Sequence, residues 1–269
     1  MLVDALLGVL YGALEGVTEW LPISSTGHLI LLRAILPHAA RDLFFSFFEV
    51  AIQLGAMLAV VVLFWHKLSP FTRDRERRRA VLLLWCKIAV AVLPAAVLGV
   101  LVDDFLEQYL SSPVAVAAML VLYGILFLIP FDRFCRVHVT SAEDISFKTA
   151  LGIGFFQVLS LIPGTSRSGA TILGGLLLGA SRVAAAEFSF FLGLPTIAGA
   201  GLLRGVKFFA AGGMLERGEL LMLAVGTATA FLVSLVTIRF LMDFVRRHTF
   251  KPFGVYRIVL GAVVLLTLL

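Results

Sequence analysis

Charged residues are scarce in this chain of 269 residues, at 14%, whereas hydrophobic residues make up 60%. Soluble domains carry about a quarter charged residues, so the composition predicts an integral membrane protein. The only two cysteines, Cys86 and Cys135, exclude a disulfide framework, and no ligand set for haem or an iron–sulfur cluster is visible. The amino terminus lacks the basic segment and the cleavage site of a signal peptide, so we expect no cleaved leader.

Long apolar runs recur along the chain, and each is about long enough to cross a hydrocarbon core of ~30 Å. Two further apolar regions, around 5–36 and 149–180, are interrupted by polar motifs and are predicted to be re-entrant. The sequence therefore predicts an all-α, polytopic membrane protein with six transmembrane helices and two re-entrant helical hairpins. The predicted spans are Phe44–Trp65, Ala80–Val102, Val114–Phe131, Val183–Leu203, Leu220–Phe240 and Pro252–Leu269.

The polar motif occurs twice. Motif one comprises residues 15–28 (EGVTEWLPISSTGH), and motif two comprises residues 157–169 (QVLSLIPGTSRSG). Because proline and glycine break helices, each motif predicts two half-helices joined by a polar loop. A membrane tolerates such a break only where it is buried in protein or lines a cavity, so the two motifs predict a site near the bilayer midplane.

The spacing of other residues indicates an internal repeat. Three pairs recur at offsets of about 140 residues: Pro22 with Pro163, Glu49 with Glu187, and Pro113 with Pro252. We interpret residues 1–269 as a single intramembrane domain made of two homologous repeats, 1–140 and 146–269, with the boundary in Thr140–Asp144. Three crossings in each repeat would invert the second repeat relative to the first.

Basic residues give an independent indication of orientation, because lysine and arginine accumulate in cytoplasmic links. The link Lys67–Arg79 contains five arginines and is predicted to be cytoplasmic, whereas the link Asp103–Glu107 has none and is predicted to be external. Both termini then lie outside, and the hairpin tips meet near the midplane. Arg204, Lys207 and Arg217 are exceptions that this arrangement places outside. We interpret the basic isoelectric point, near 9.6, as a topology signal, with no nucleic-acid partner.

The chemistry of motif one comes from acids, hydroxyls and a histidine. Glu15 and Glu19 lie one helical turn apart, so their like charges need a divalent cation or a shared proton. Of Ser24, Ser25 and Thr26, one is expected to cap the returning half-helix, and one hydroxyl of motif two is expected to do the same. His28 can take a proton from a hydroxyl or attack phosphorus itself.

Motif two adds a cation. Arg167 is the only basic residue between Lys148 and Arg182, and its guanidinium can bind phosphate through two parallel hydrogen bonds. Helix N-termini and loop amides add affinity for anions, whereas snorkelling to an interface is the structural alternative. Together the motifs predict a phosphate-bearing substrate and a bridging divalent metal. Glu49, Gln53 and Glu187 are expected either to support Arg167 and His28 or to act directly.

These residues resemble the undecaprenyl pyrophosphate phosphatase family of the bacitracin-resistance type, over essentially the whole chain. Glu15 and Glu19 match the family's Glu/Gln-x-x-x-Glu element, and residues 24–28 match its serine–histidine stretch. The family's Pro-Gly-x-Ser-Arg-Ser-x-x-Thr element is met in full by Pro163, Gly164, Ser166, Arg167, Ser168 and Thr171.

The resemblance implies hydrolysis of the C55 polyprenyl diphosphate to its monophosphate, which recycles the carrier lipid for cell-wall synthesis. It implies a divalent metal, Mg²⁺ or Ca²⁺ with Mn²⁺ as a further candidate, and a site open to the outer side of the bacterial plasma membrane. The partners are then the substrate lipid and membrane lipids. The oligomeric state stays open, with a homodimer as one candidate.

The resemblance implies that Ser25 is the nucleophile and that His28 is its base. The alternative is that His28 itself is the nucleophile. Arg167 binds the phosphates, and Glu19 with Glu15 holds the metal or positions water. The other polar residues expected to bind substrate are Ser24, Thr26, Gln53, Gly164, Thr165, Ser166, Ser168 and Thr171.

Two other functions compete. Inverted repeats with broken helices also occur in transporters, so a flippase for a phosphate-bearing polyprenyl lipid is the main alternative; it would need Arg167 but not Ser25 with His28. A lipid phosphatase of the acid-phosphatase type would need a second catalytic histidine, and no histidine lies between Arg167 and His248.

Overall fold

The computed structural model describes residues 1–36, 41–110 and 112–268, except for the side chains at 100, 103–110, 132 and 133. Within these ranges the chain is helical and contains no strand, apart from an isolated β-bridge between Val139 and Ala180. Short 3-10 turns cover Ala142–Asp144 and Leu159–Leu161. The helices are α1 (Leu2–Thr18), α2 (Ser25–Ile35), α3 (Asp42–Leu63), α4 (Trp65–Leu68), α5 (Arg75–Leu110), α6 (Pro113–Leu128), α7 (Phe131–Phe134), α8 (Phe147–Val158), α9 (Arg167–Leu177), α10 (Arg182–Ala210), α11 (Arg217–Arg247) and α12 (Lys251–Leu268).

Five helices in the described part of the chain are long and apolar enough to cross a membrane: α3, α5 over its Arg75–Gly99 stretch, α10, α11 and α12. Each overlaps one of the predicted spans, so the prediction of an all-α, multi-pass membrane protein is confirmed. The sixth predicted span corresponds to α6, which has 16 residues and is therefore only ~24 Å long. The arrangement of six spans with two re-entrant hairpins stays a prediction.

Each interrupted apolar region folds as two helices, as predicted. The chain leaves helical structure over residues 19–24, loop one, between α1 and α2. It does so again over residues 159–166, loop two, which begins with a 3-10 turn and separates α8 from α9. α2, α8 and α9 have 11 or 12 residues each, so each is ~16–18 Å long, about half the hydrocarbon core.

The two loops end in the same local structure. Ser24 (φ 74°) and Ser166 (φ 70°) are the only described residues other than glycine with a left-handed backbone. The Ser24 hydroxyl accepts a hydrogen bond from the amide of Gly27 at the start of α2, and the Ser166 hydroxyl accepts one from Gly169 at the start of α9. The expectation that one hydroxyl in each loop is a helix cap is therefore confirmed. Such strained backbone costs about 1–3 kcal/mol and clusters at functional sites.

The predicted link Asp103–Glu107 is not a loop, because α5 continues through it to Leu110. This stretch contains neither proline nor glycine, and its polar residues are compatible with helix. At 36 residues, α5 is ~54 Å long and extends well beyond the ~30 Å hydrocarbon core. The basic link Lys67–Arg79 also overlaps α5, because residues 75–79 are helical and form the start of α5. Their side chains are exposed.

The half-helices are held by close backbone packing. α1 lies directly against α11, since a Cβ atom on Gly12 would meet the backbone of Gly226, and Gly8 and Gly16 face the same helix. Small residues spaced by four let membrane helices approach in this way. The approach buries the carboxyl-terminal end of α1, where Glu15 is fully inaccessible to solvent. Elsewhere α8 packs on α5, α9 on α10, and α12 on α6.

Candidate active site

An ion pair joins the two motifs. Glu19 directly follows α1 and Arg167 begins α9, yet Oε1 of Glu19 lies 2.8 Å from Nη2 and 3.3 Å from Nε of Arg167. Both side chains are about nine-tenths buried, at 8% and 10% exposure. Two residues separated by 148 positions thus form the centre of one buried polar site.

The rest of the Arg167 guanidinium is also constrained. Nη1 donates to the carbonyl oxygen of Ser189 at 2.7 Å, and the group lies over the Trp20 ring, 5.8 Å from its centroid. Gly193 on α10 faces the guanidinium so closely that a Cβ atom there would lie 2.6 Å from Nη1. The absence of a side chain at position 193 therefore provides the space that Arg167 occupies.

Glu19 also contacts the hydroxyl of Ser25. Ser25 begins α2, is 9% exposed, and donates through Oγ to Oε2 of Glu19 at 3.2 Å. One oxygen of Glu19 therefore accepts from Arg167 and the other from Ser25. Glu19 is placed to hold the serine hydroxyl and to accept its proton.

His28 is held in one tautomer. Nδ1 lies 2.7 Å from the carbonyl oxygen of Ser24, and Nε2 lies 2.7 Å from the hydroxyl of Tyr256. Because a carbonyl can only accept, Nδ1 carries the proton and Nε2 accepts from Tyr256. In this structure the acceptor for the Ser25 proton is Glu19, so the role of His28 as the base for Ser25 stays a prediction.

Glu15 is the most unusual acid of the site. It is fully buried, and neither of its carboxylate oxygens accepts a hydrogen bond from the protein. Its carboxyl group interacts electrostatically with Glu19, Glu49 and Arg167. A buried carboxylate is costly unless its charge is neutralised. This pair of glutamates therefore needs a bound cation or a shared proton. Among the described residues no group of three or more His, Cys, Asp or Glu side chains could hold a metal.

Two hydroxyls that follow Arg167 connect α9 to its neighbours, Ser168 to loop one and Thr171 to α10. Ser168 donates to the carbonyl oxygens of Glu19, at 3.1 Å, and Leu21, at 3.3 Å. Thr171 donates to the carbonyl oxygen of Arg167 and lies 2.6 Å from the hydroxyl of Ser189. Their predicted role in substrate binding stays a prediction; in this structure the Ser168 hydroxyl bonds the backbone of loop one and the Thr171 hydroxyl bonds the backbone of Arg167.

The remaining predicted binding residues differ in their environments. Thr26 is exposed, whereas the hydroxyl of Thr165 is buried and has no hydrogen-bond partner. Gly164 has a left-handed backbone (φ 90°) and packs on α6, and Ser166 caps α9 and contacts Ser168. Gln53 lies on α3, partly buried, and its side chain makes no hydrogen bond to the site residues described here.

The other two intramembrane acids differ in their surroundings. Glu187 forms a close ion pair with Lys67 rather than with Arg167 or His28. The arginines closest to Glu49 in charge interaction are Arg33 and Arg204. For Glu187 the expected support of Arg167 and His28 is therefore replaced by the ion pair with Lys67. Glu49 also interacts electrostatically with Glu15, and its role in the site stays a prediction.

Tyr256 and Arg257 on α12 both contact the site, and neither was predicted from the sequence. Arg257 is a charged residue inside a predicted span, which by itself marks a functional position. Tyr256 has no comparable signal, because a tyrosine near a membrane surface is ordinary.

The fold and the site together define a multi-pass, all-helical membrane protein with a buried site of carboxylates, hydroxyls, a histidine and an arginine, suited to a phosphate-bearing ligand. The family model described as bacitracin resistance protein BacA matches residues 8–263, and the chain belongs to this family.

Relatives of known name are similar to this chain over nearly its full length. A protein of Enterococcus faecalis named undecaprenyl-diphosphatase is 50% identical over 98% of this chain and 97% of its own. A protein of Streptococcus thermophilus with the same name is 50% identical over 98% and 93%. One of Lacticaseibacillus casei, also so named, is 46% identical over 98% of both chains.

Proposed function

We propose that the protein hydrolyses undecaprenyl diphosphate to undecaprenyl monophosphate and inorganic phosphate, and so recycles the carrier lipid for cell-wall synthesis. The names of relatives that match nearly the whole chain support this function. The observation that carries it is the position of Glu19, which holds the hydroxyl of Ser25 on one oxygen and the guanidinium of Arg167 on the other. A nucleophile and a phosphate-binding cation therefore share one buried carboxylate.

Binding of the diphosphate is the work of motif two. Arg167 presents a planar fork of N–H donors, and the N-terminus of α9 contributes free amides and a favourable helix dipole. The pairing of Arg167 with Glu19 and with the Ser189 carbonyl fixes the guanidinium before substrate arrives. The polyprenyl tail extends between apolar helices, whose exposed side chains, such as Val97, Leu202 and Val236, face lipid.

The reaction begins with attack of Ser25 Oγ on the terminal phosphorus. The new O–P bond forms as the bond to the bridging oxygen breaks, and the lipid monophosphate leaves. Glu19, which already accepts a hydrogen bond from that hydroxyl, takes the proton; His28 is the other candidate base. Water then attacks the phosphoserine, releasing inorganic phosphate and restoring Ser25. Direct attack by His28 remains the alternative, and it requires Nε2 to leave the Tyr256 hydroxyl.

Glu15 and Glu19 could supply part of the ligand set of a divalent cation. Glu15 has two unpartnered buried oxygens, and Glu19 lies beside it. Two carboxylates completed by substrate phosphate oxygens are a common way of binding Mg²⁺, and Ca²⁺ also takes oxygen ligands. When bound, the metal would neutralise phosphate charge and polarise the terminal phosphoryl group.

For the membrane arrangement, we propose six spans and two re-entrant hairpins in inverted repeats 1–140 and 146–269, with the site open to the outer face. The packing of the half-helices supports this: α1 of the first repeat packs on α11 of the second, while α8 of the second packs on α5 of the first. The matching caps Ser24 and Ser166 also support it.

Cysteine labelling tests the orientation. Cys86 and Cys135, both free, are first replaced by alanine, and single cysteines are placed at the exposed positions Arg75 and Met214. We expect a membrane-impermeant thiol reagent to label the Met214→Cys variant on intact cells and the Arg75→Cys variant only after permeabilisation. The reverse pattern would contradict an outward-facing site.

Substitution of Ser25 and His28 separates hydrolysis from transport. We expect Ser25→Ala and His28→Ala to lower phosphate release by at least ~10²-fold, because attack and proton transfer are lost. Binding of the diphosphate lipid should stay within about tenfold, since Arg167 remains. A phospho-adduct on acid-quenched enzyme would identify the nucleophile, because phosphoserine survives acid and phosphohistidine does not. Wild-type hydrolysis in the doubly substituted protein would refute the catalytic roles of Ser25 and His28, whereas wild-type protein that binds the lipid without hydrolysing it would favour the flippase.

Gly193→Ala tests the space around Arg167. Its Cβ would lie 2.6 Å from Nη1, so the guanidinium must shift, and a misplacement of this kind can cost ~10²-fold in rate. We expect a loss of about 10–100-fold in kcat/KM for phosphate release with an almost unchanged Tm. Gly199→Ala on the same helix is the matched control, because no atom lies within 4 Å of its Cβ position. Equal activity of the two variants would show that Arg167 acts from another position.

A further inference from the structure

Arg257 makes an unusual set of contacts for an arginine inside a membrane-spanning helix. It lies in α12, is fully buried, and directs its whole guanidinium at backbone carbonyl oxygens. Charged groups at this depth are costly and are retained for a reason. The acceptors are the carbonyls of Gly164 (2.8 Å), Thr165 (3.0 Å), Pro22 (3.2 Å), Met119 (3.3 Å) and Leu120 (3.4 Å).

Three of these carbonyls belong to the two loops. Pro22 is in loop one, two residues before the cap Ser24, and Gly164 and Thr165 are in loop two, just before Arg167. These loop carbonyls lie outside the α-helices, and an unsatisfied backbone carbonyl in a membrane costs several kcal/mol. Arg257 satisfies all three at once, so one planar group connects the backbone of both loops.

The side chain of Arg257 also connects the two loops to α6. Met119 and Leu120 lie within α6, which packs along α12. Among the described residues, the hydrogen bonds of Arg257 go to carbonyls and not to carboxylates, and its aromatic neighbour is Tyr123, 5.4 Å from the guanidinium carbon. Its contacts are therefore with backbone that carries the site, not with the side chains Glu19, Ser25 or Arg167.

We propose that Arg257 is a positioning residue for the hydrolysis: it fixes loop one relative to loop two, so that Glu19 in loop one and Ser25, which follows that loop, face Arg167, which follows loop two. This inference rests on the proposed function for its kinetic consequence, but its structural part does not. Lysine cannot replace it, because an ammonium is a single point with three donors, whereas the guanidinium holds separate acceptors in a fixed plane.

The test compares Arg257→Lys and Arg257→Met with Arg246→Met, which removes an exposed arginine whose ion-pair partner among the described residues is Asp243. Three quantities are measured in purified, lipid-reconstituted protein: kcat and KM for phosphate release from undecaprenyl diphosphate, Tm, and hydrogen–deuterium exchange of peptides covering the two loops. We expect both Arg257 variants to lower kcat by ~10–100-fold, with KM within about threefold. Exchange should rise in loop one and loop two together and stay unchanged in α3 and α11. The control should match wild type.

Arg257→Lys keeps the charge and is the variant that decides the question if Arg257→Met folds poorly. Wild-type kcat and unchanged loop exchange in the lysine variant would overturn the proposal. A rise in exchange along the whole chain with a lower Tm would also overturn it, because Arg257 would then serve general stability. If the wild-type protein released no phosphate while loop exchange still rose selectively in Arg257→Lys, the proposed function would fail and the positioning role would stand.

Discussion

Replacing Arg167 with lysine is expected to lower kcat/KM for phosphate release by about 10²-fold, which is ~2.7 kcal/mol of transition-state stabilisation. Lysine keeps the charge but loses the planar fork that binds phosphate at two points. It also cannot reproduce the three donors that reach Glu19 and the Ser189 carbonyl together. Arg167→Ala should remove nearly all activity. Arg246→Lys, at an exposed arginine, is the matched control and should behave as wild type.

The pairing with Glu19 makes this prediction more specific. Because Arg167 and Glu19 are in direct contact, their substitutions should not be additive. We expect Glu19→Gln with Arg167→Lys to cost much less than the sum of the single effects on ΔΔG‡, measured in a double-mutant cycle. Wild-type kinetics in Arg167→Lys would show that Arg167 supplies only a general charge or a topology signal.

Removal of divalent metal by a chelator is expected to lower phosphate release by about the same factor as Arg167→Lys. Glu15 and Glu19 lie together in a buried site, and a diphosphate adds further negative charge, so excess chelator should lower phosphate release by at least ~10²-fold. Mg²⁺, Ca²⁺ or Mn²⁺ should restore it. Glu15→Gln should raise the metal concentration needed for half-maximal activity, whereas Glu187→Gln, at a buried acid paired with Lys67, should not. Full activity in excess chelator would favour a proton shared between the glutamates.

Local signals in the sequence predict the breaks in the helices. Pro22 and Pro163 with their neighbouring hydroxyls and glycines allow only a loop, and the structure has loops at both places. The same local chemistry predicted that one hydroxyl of each loop caps a helix, and the structure identifies these residues as Ser24 and Ser166. Five of the predicted spans also follow from apolar length alone.

Contacts between distant parts of the chain could not be predicted. Arg257 is 235 residues from Pro22, and Tyr256 is 228 residues from His28, so no spacing rule connects them. Glu187 was expected to support the site because it is an acid inside a predicted span, but it forms an ion pair with Lys67, 120 residues away in the sequence. The link Asp103–Glu107 was expected between helices from its charge alone, whereas the lack of a helix breaker allows α5 to continue.

The most direct measurement is phosphate release from undecaprenyl diphosphate by purified wild-type protein in lipid with Mg²⁺, with both products quantified. The proposed chemistry predicts one inorganic phosphate and one undecaprenyl monophosphate for each diphosphate consumed, many turnovers per protein, and almost none with Arg167→Ala. Undecaprenyl diphosphate that is bound but recovered intact would contradict a site in which Ser25, Glu19 and Arg167 converge for hydrolysis.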